Sequence, residues 1–351
     1  MLPIAMVAGA SGYLLYHAIP SLHPFGPVLS GAVDVIQPLF IFSMLFLTFC
    51  RIEPKELRPH RWHWWLLLIQ GGTFTLLGLL AAWLMRLLPE NSRDVVVLVE
   101  SAMLCLICPT ATAAAVVTRK LGGDVPGITT YTILINLVNA VLVPLVVPLI
   151  HPLNGIDFWH AFSLIMAKVF PLLLMPCLAA WLVRYLLPKF HRWILGFPNL
   201  AFYLWAFALA LAIAVTTKSI VASQMSALLI LAIAAISFLC CILQFLLGRY
   251  VGRCYRPHRL PSCHPERPSC HPERSSCHPE RSSCHPERQR RISSGNVREI
   301  TAGQALGQKN TVFAIWMGYT FMTAETAIVG GLYSIWHNLY NSYQLRGSGK
   351  P

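Results

Sequence analysis

The chain has 351 residues, of which 56% are hydrophobic and only 12% are charged, and its mean hydropathy is +0.58. A soluble domain carries roughly twice that share of charged residues, so the composition indicates a membrane protein. The net charge of +13 does not call for nucleic acid, because no soluble domain carries a basic patch interleaved with aromatic residues. Walker A, His-Glu-x-x-His and Gly-x-Ser-x-Gly motifs are absent from the sequence, and no catalytic pair lies within the spans, so we expect no enzyme.

Ten apolar stretches approach the length that crosses a bilayer. They cover residues 2–19, 28–50, 64–88, 95–118, 125–150, 158–187, 199–221, 225–252, 301–321 and 324–345. The first stretch resembles a signal peptide in length, but it lacks a basic flank and a clear cleavage site, which favours a span. The sequence therefore predicts an all-α polytopic membrane protein with ten transmembrane helices.

The distribution of Lys and Arg predicts the orientation of these spans. The loops after spans 2, 4 and 6 and the C-terminal tail hold eleven basic residues: Arg51, Lys55, Arg58, Arg61, Arg119, Lys120, Arg184, Lys189, Arg192, Arg346 and Lys350. The opposite side holds only Arg86, Arg93 and Lys218. Because basic loops remain in the cytoplasm, we predict that both termini are cytoplasmic and that the chain lies in the plasma (inner) membrane.

Two spans contain sequences that interrupt a helix. Span 4 carries Pro109 among small residues from Cys108 to Ala115, and proline breaks the helical hydrogen-bond ladder. Span 9 carries glycines and polar residues from Gly303 to Thr311. Backbone groups freed at membrane depth must be buried in protein or line a cavity, so paired breaks predict a binding site. The alternatives are a plain proline kink in span 4 and a loop leading into a span that starts at Asn310.

The spans divide into two sets of five, residues 1–150 and residues 158–252 with 301–345. Since five is odd, the second set enters the membrane in the opposite sense, as in an inverted 5+5 repeat. Residues 253–300 interrupt the second set with Cys-His-Pro-Glu-Arg repeats, whose cysteines are Cys263, Cys270, Cys277 and Cys284. Thiolate and imidazole suit zinc, but a proline in every repeat and the absence of an apolar face predict a disordered cytoplasmic insertion.

Polar side chains inside the spans are candidate site residues. Thr129, Thr132, Asn136 and Asn139 share one face of span 5, which we expect to point at the break in span 4. The alternative for this face is hydrogen bonding between helices without a ligand. Glu100 in span 4 is interpreted either as a proton-coupling carboxylate or as a solvated carboxylate in the outer leaflet.

The broken spans resemble a known family. Span 4, from Cys108-Pro109 through Thr112 and Val116-Val117-Thr118 to Gly123-Asp124, resembles the fourth-helix motif of the bile acid:sodium symporter family, roughly Cys-Pro-Gly-Gly-Thr-Ala-Ser-Asn-Val-Val-Thr ending in Gly-Asp. Asn139, Pro144 and Pro148 continue the likeness in span 5, and Gly307 to Ala314 resembles the Glu-x-Gly-x-Gln-Asn motif of the ninth helix. The resemblance implies ten helices in a core and a panel domain, crossing of helices 4 and 9 at their breaks, and import of organic anions on a sodium gradient.

The positions that this resemblance assigns to sodium depart from the family pattern. The family's Ser-Asn pair is Ala114-Ala115 here, and its ninth-helix glutamate aligns with Gln304 or Ala305. Sodium needs hard oxygen ligands, so we expect weak or absent sodium dependence. Lys309 replaces a neutral family residue, and an intramembrane lysine is usually functional or paired. It could supply a fixed positive charge or exchange a proton; alternatively, it snorkels to the cytoplasmic surface.

The predicted function is secondary active transport of a small organic anion, a bile-acid-like or other carboxylate or sulfonate. The predicted substrate-binding residues are Thr110, Thr112, Asn136, Asn139 and Asn310, and the predicted ion-coupling residues are Gln70, Thr132, Gln304, Gln308 and Lys309. Gln70 is counted among the ion-coupling residues because of the resemblance to the family. We expect no metal site and no cofactor beyond Na⁺ or H⁺ as the coupling ion, and the partners are the organic anion and the lipid bilayer, without nucleic acid. The alternative is a solute-binding sensor or channel of the same fold that does not transport.

Overall fold

A computed structural model describes residues 2–89, 93–152, 155–197, 200–223, 225–255 and 286–347. The described chain is helical, with one isolated β-bridge. The helices are α1 (Leu2–Ala18), α2 (Gly26–Cys50), α3 (Arg61–Leu87), α4 (Asp94–Ile107), α5 (Ala113–Leu121), α6 (Val125–Ile150), α7 (Phe158–Leu186), α8 (Pro188–Leu195), α9 (Leu200–Ala222), α10 (Ala227–Cys254), α11 (Pro286–Gly307), α12 (Thr311–Phe321) and α13 (Ala324–Gly347).

Six helical segments of the described chain are long and apolar enough to cross a membrane: Pro20–Cys50, Arg61–Leu87, Val125–Ile150, Phe158–Leu186, Tyr203–Ala222 and Ala227–Cys254. Large apolar side chains such as Trp64, Leu68 and Leu76 are exposed along one side of α3, which suits contact with lipid. The other predicted stretches fall on α1, on α13, and on the helix pairs α4–α5 and α11–α12. The fold is thus an all-helical bundle of the polytopic membrane class, and ten crossings remain a prediction.

The helices pack in two groups. In one group, α1 packs against α9, and α2 packs against α7 and α9. In the other, α3 packs against α4 and α6, and α10 packs against α11, α4 and α13. Contacts between α6 and α7 and between α9 and α13 join the groups. The helices α4 and α11 therefore lie deep in the bundle, which positions their broken ends away from lipid.

Close packing between α10 and α11 sets the limits of the insertion. A side chain at Gly252 would approach the Arg298 carbonyl to 2.7 Å, so glycine permits the contact between these helices. Beyond it, Arg253 Nη2 lies 2.6 Å from Glu299 Oε1, and Arg298 Nη1 donates to the Tyr255 carbonyl at 2.8 Å.

This packing extends both helices beyond the apolar pattern. Within the boundaries predicted for the insertion, 253–300, Arg253 and Cys254 belong to α10, and residues 286–300 belong to α11. The insertion itself stays a prediction. The repeat cysteines Cys263, Cys270, Cys277 and Cys284 lie outside the described residues.

Candidate functional site

The two helix breaks meet and hydrogen-bond to each other. The first break follows the end of α4 at Ile107, and the second separates α11 from α12. The Ala111 amide donates to the Gln308 carbonyl (2.9 Å), and the Asn310 amide donates to the Pro109 carbonyl (2.8 Å). We call residues 108–112 and 308–310 the crossover. Each break satisfies backbone groups that the other exposes, as burial within a membrane protein requires.

The meeting of the breaks decides between the earlier interpretations. Residues 303–307 lie within α11, so the alternative of a loop leading into span 9 is wrong. The break after Ile107 contains extended residues and a hydrogen-bonded bridge, which a plain proline kink would not have.

Side chains from other elements cap the carbonyls at the end of α4. Proline and the non-helical turn leave these carbonyls without helical partners. The donors are Gln70 Nε2 to Ile107 and Cys108 (both 3.0 Å), Asn139 Nδ2 to Ile107 (2.8 Å), Lys309 Nζ to Leu106 (3.1 Å) and Gln244 Nε2 to Cys105 (3.2 Å). The end of α4 is thus fixed by α3, α6, α10 and the second break.

The second break is capped in the same manner. The Tyr333 hydroxyl donates to the Gly307 carbonyl, and the Thr110 hydroxyl donates to the Ala305 carbonyl, both at 2.7 Å. On the other side of this break, Asn310 Oδ1 accepts from the Phe313 amide at 3.2 Å and caps α12. The break is therefore a defined structure with satisfied backbone groups.

Lys309 lies at the centre of the crossover. Its side chain is only 1% exposed, so the alternative that it snorkels to the surface is wrong. Its ammonium donates to a carbonyl in the last turn of α4, where the helix dipole places partial negative charge. No acidic side chain pairs with it among the described residues. The crossover therefore contains a buried lysine amine that donates to a backbone carbonyl.

The predicted substrate residues divide between the crossover and α6. Thr110 and Asn310 lie in the crossover with the contacts given above, and Thr112 occupies the N-cap position of α5 without a side-chain hydrogen bond to that helix. Asn139 contacts the end of α4, whereas Asn136 Nδ2 donates to the Leu173 carbonyl of α7 at 3.4 Å. The structure thus gathers four of these residues and directs the amide donor of Asn136 to a different neighbour.

The predicted ion-coupling residues are less closely grouped. Gln70 and Lys309 contact the same end of α4, and Gln308 is fully buried with no hydrogen-bond partner for its side chain among the described residues. Thr132 Oγ1 donates to the Ile128 carbonyl of its own helix at 2.9 Å. Gln304 Nε2 donates to Gln344 Oε1 (2.6 Å) and to Asn341 Oδ1 (3.3 Å), so it contacts α13.

Sequence reasoning missed two Gln–Tyr pairs that support the crossover. The Tyr131 hydroxyl donates to Gln70 Oε1 at 2.7 Å, and Gln244 Nε2 donates to the Tyr333 hydroxyl at 3.2 Å. A signal was present in the sequence: residues 131–139 and 333–341 both read Tyr-x-Ile-x-x-Asn-Leu-x-Asn. Aligning these segments marks Tyr333 as the counterpart of Tyr131.

Glu100 is buried, with 1% of its surface exposed, so the interpretation as a solvated carboxylate is wrong. The Thr326 hydroxyl donates to Glu100 Oε2 at 2.8 Å, and His151 Nε2 lies 2.8 Å from Glu100 Oε1. These contacts join α4 to the first turn of α13 through Thr326 and to the end of α6 through His151. Proton coupling through Glu100 stays a prediction.

A cavity of about 1110 Å³ lies in the part of the bundle that contains α12, the helix that begins directly after the crossover. Its walls come from α1, α2, α7, α9 and α12, and include Asp34, Lys168 and Lys218. Gln37 and Trp316 line its end near α12, where Gln37 Nε2 donates to the Val312 carbonyl at 3.3 Å. Lys168 did not feature in the sequence prediction, because one lysine in an apolar span carries no motif.

Crossing broken helices around a buried polar centre are typical of secondary transporters. The chain belongs to the SBF-like CPA transporter family, whose sequence profile matches residues 11–344. This membership confirms the predicted relationship to the bile acid:sodium symporters and makes the chain a transmembrane protein of a transporter family. No curated protein matches the chain.

Proposed function

We propose that the protein is a secondary active transporter that carries a small organic anion and binds its anionic group at the crossover. The observation that carries this proposal is the buried ammonium of Lys309 between two broken helices. The helices α5 and α12 both start at the crossover, and their N-termini add partial positive charge. A bound carboxylate or sulfonate would neutralise this charge.

Several unoccupied donors support the assignment. Gln308 Nε2 and Asn310 Nδ2 are buried and have no hydrogen-bond partner among the described residues. Thr112 adds a hydroxyl at the start of α5. Thr110, Asn136 and Asn139 already donate to backbone carbonyls. In our proposal the residues with free donors contact the anion. The residues that already donate to carbonyls position the helices around it.

The cavity suits the approach of an anion with an apolar body. The two lysines Lys168 and Lys218 outnumber the one carboxylate, Asp34, and Trp316 and Tyr319 provide aromatic walls. Pockets for such ligands are mostly apolar with a few placed polar groups. A bile-acid-like or other carboxylate or sulfonate fits this combination.

Sodium coupling has weak support from the residues present. Ala114 and Ala115 carry no side-chain oxygen, and Gln304 contacts α13. Gln70 Oε1 already accepts the hydrogen of the Tyr131 hydroxyl. We therefore propose that Lys309 supplies the positive charge that sodium brings to the crossover in the wider family. It acts either as a fixed charge or as a group that exchanges a proton.

We further propose ten crossings, an inverted repeat and cytoplasmic termini in the plasma (inner) membrane. The eleven basic residues at one end of the spans support this orientation. The recurrence of Tyr-x-Ile-x-x-Asn-Leu-x-Asn on α6 and α13, the fifth and last predicted spans, supports the repeat.

Uptake by proteoliposomes across a panel of carboxylates and sulfonates tests the function. Accumulation of one anion against its gradient is expected. The double variant Lys168→Gln, Lys218→Gln should raise the KM for that anion, whereas Lys189→Gln, an exposed lysine on α8, should leave it unchanged. Binding without accumulation would instead identify a sensor, and downhill flux alone a channel.

A further inference from the structure

One face of α13 is polar in the half nearer the basic loops. Its members are Ser334, His337, Asn338, Asn341 and Gln344, which we call the inner polar stripe. Their spacing of three and four residues places them on one side of the helix. The first four are buried within the described chain, so this side faces protein rather than lipid.

The inner polar stripe has an excess of unsatisfied polar atoms. Ser334 Oγ, His337 Nδ1, Asn338 Oδ1, Asn341 Nδ2 and Gln344 Nε2 have no hydrogen-bond partner among the described residues. Across from the stripe, the same is true of Gln304 Oε1 on α11 and Gln244 Oε1 on α10. Buried polar atoms are rarely left unpaired, and ordered water commonly satisfies those that no protein group reaches.

The corresponding residues of α6 make more contacts with neighbouring helices. Asn136 and Asn139 both donate to carbonyls of other elements. Their counterparts differ, because Asn338 Nδ2 donates to the Ser334 carbonyl of its own helix and Asn341 Nδ2 has no acceptor in the described chain. The amide nitrogens on this face of α6 thus bind other helices, although both amide oxygens are free, whereas on α13 the amide nitrogen of Asn341 is free as well.

The stripe is continuous from the basic end of α13 to the crossover. Gln344 and Asn341 both contact Gln304, and the His337 ring lies 5.8 Å from the Tyr333 ring between centroids. Tyr333 in turn donates to the Gly307 carbonyl beside the crossover. Polar side chains therefore follow one another along α13 from Gln344 to Tyr333, next to the crossover.

We propose that the inner polar stripe lines a hydrated pathway by which water and small cations reach the crossover from the basic-loop end. Its free atoms include a hydroxyl and an amide oxygen, which coordinate water and cations, and the amide nitrogens of Asn341 and Gln344, which donate to water. The role of this pathway rests on the proposed transport function. Together with the cavity next to α12, it would give the crossover access from both membrane faces.

Cysteine accessibility tests this inference without measuring transport. In a chain whose eleven native cysteines are replaced, Asn338→Cys and Asn341→Cys would be exposed to a charged methanethiosulfonate reagent applied to each side of membrane vesicles. The matched control is Leu339→Cys, whose side chain is 62% exposed on the apolar side of α13. Because the reagent needs water and a thiolate, the stripe cysteines should react about tenfold faster than the control, from the side that also labels Lys55→Cys.

Equal rates for the stripe and control cysteines, or reaction only from the other side, would overturn the pathway. A second variant, Asn338→Leu with Asn341→Leu, guards against misfolded cysteine variants. It should keep its elution volume in size exclusion and its anion affinity, and it should slow turnover severalfold. Unchanged turnover would also overturn the proposal. Labelling of the stripe in a protein that transports nothing would support the pathway and refute only the transport function.

Discussion

Thr110 and Lys309 lie opposite each other in an antiparallel β-bridge that joins the two broken helices. The hydrogen bonds on either side of this pair, 2.9 Å and 2.8 Å long, run between the two halves of the sequence. A displacement of one break must therefore displace the other. This relationship places the backbone of Lys309 at a junction between the two halves of the sequence.

The first prediction concerns Lys309 and sodium. We expect uptake to persist when sodium is replaced by choline, and we expect Lys309→Ala to lose that sodium-free uptake about tenfold or more, since a hydrogen bond to a buried charged group contributes about 1.5–3 kcal/mol. Lys309→Arg keeps the charge and should retain more uptake. Steep sodium dependence of the unmodified protein would contradict the idea, and so would normal sodium-free uptake by the alanine variant.

The second prediction concerns the cap on α4. Gln70→Leu removes the side-chain donor to the Cys108 carbonyl and leaves the Tyr131 hydroxyl without its acceptor, while the Ile107 carbonyl keeps Asn139. We expect a loss of about 1–3 kcal/mol in the free energy of unfolding, because unsatisfied buried groups carry the full desolvation cost. A thermal unfolding series in detergent measures it.

A double-mutant cycle provides the control for this cap. Tyr131→Phe should be costly alone but should cost little in the Gln70→Leu background, because its hydrogen bond is already lost. Gln37→Leu, which removes one bond of 3.3 Å, should cost less than Gln70→Leu. Additive effects of Gln70→Leu and Tyr131→Phe would show that the pair does not act as a unit.

The third prediction concerns the repeat segment. Deleting residues 261–285 should leave expression and uptake near their normal levels, because each halving of a flexible loop changes the closure free energy by only about 0.6 kcal/mol. The contacts between Arg253 and Glu299 hold the helix ends together independently. In contrast, Gly252→Val should reduce the yield of folded protein, since the side chain would meet the Arg298 backbone. Loss of folded protein on deletion, or zinc retained in stoichiometric amount by the intact chain, would count against this view.

The fourth prediction concerns orientation. A cysteine at Lys55, in the loop after α2, should resist an impermeant maleimide added to intact cells and should react after permeabilisation. A cysteine at Ile156, in the exposed turn before α7, should react with intact cells. Reaction of the cysteine at position 55 from outside would reverse the proposed topology.

Much of the architecture could be predicted from the chain alone because membrane burial imposes simple patterns. Apolar length predicted the helices, Pro109 predicted the first break, and the glycines and polar residues from Gly303 onward predicted the second. The resemblance carried by Cys108-Pro109 and Gly123-Asp124 predicted the family. These features are local, since each depends on the preferences of a short segment in lipid.

Only the tertiary structure decided which groups meet. No local pattern distinguishes a lysine that snorkels from one that lies at a crossover, and the burial of Lys309 follows from the meeting of the two breaks at the end of α4. The hydrogen-bond partners of Gln244 and Tyr333 lie on other helices, so the helix propensity of a short segment carries no information about them. The helix α11 begins at Pro286, before the apolar pattern resumes, and near residue 299 it is tied to α10 by the pair of Arg253 and Glu299. Hydrogen bonds between distant segments satisfy whatever polar groups the fold brings together, and that pairing is a property of the folded bundle.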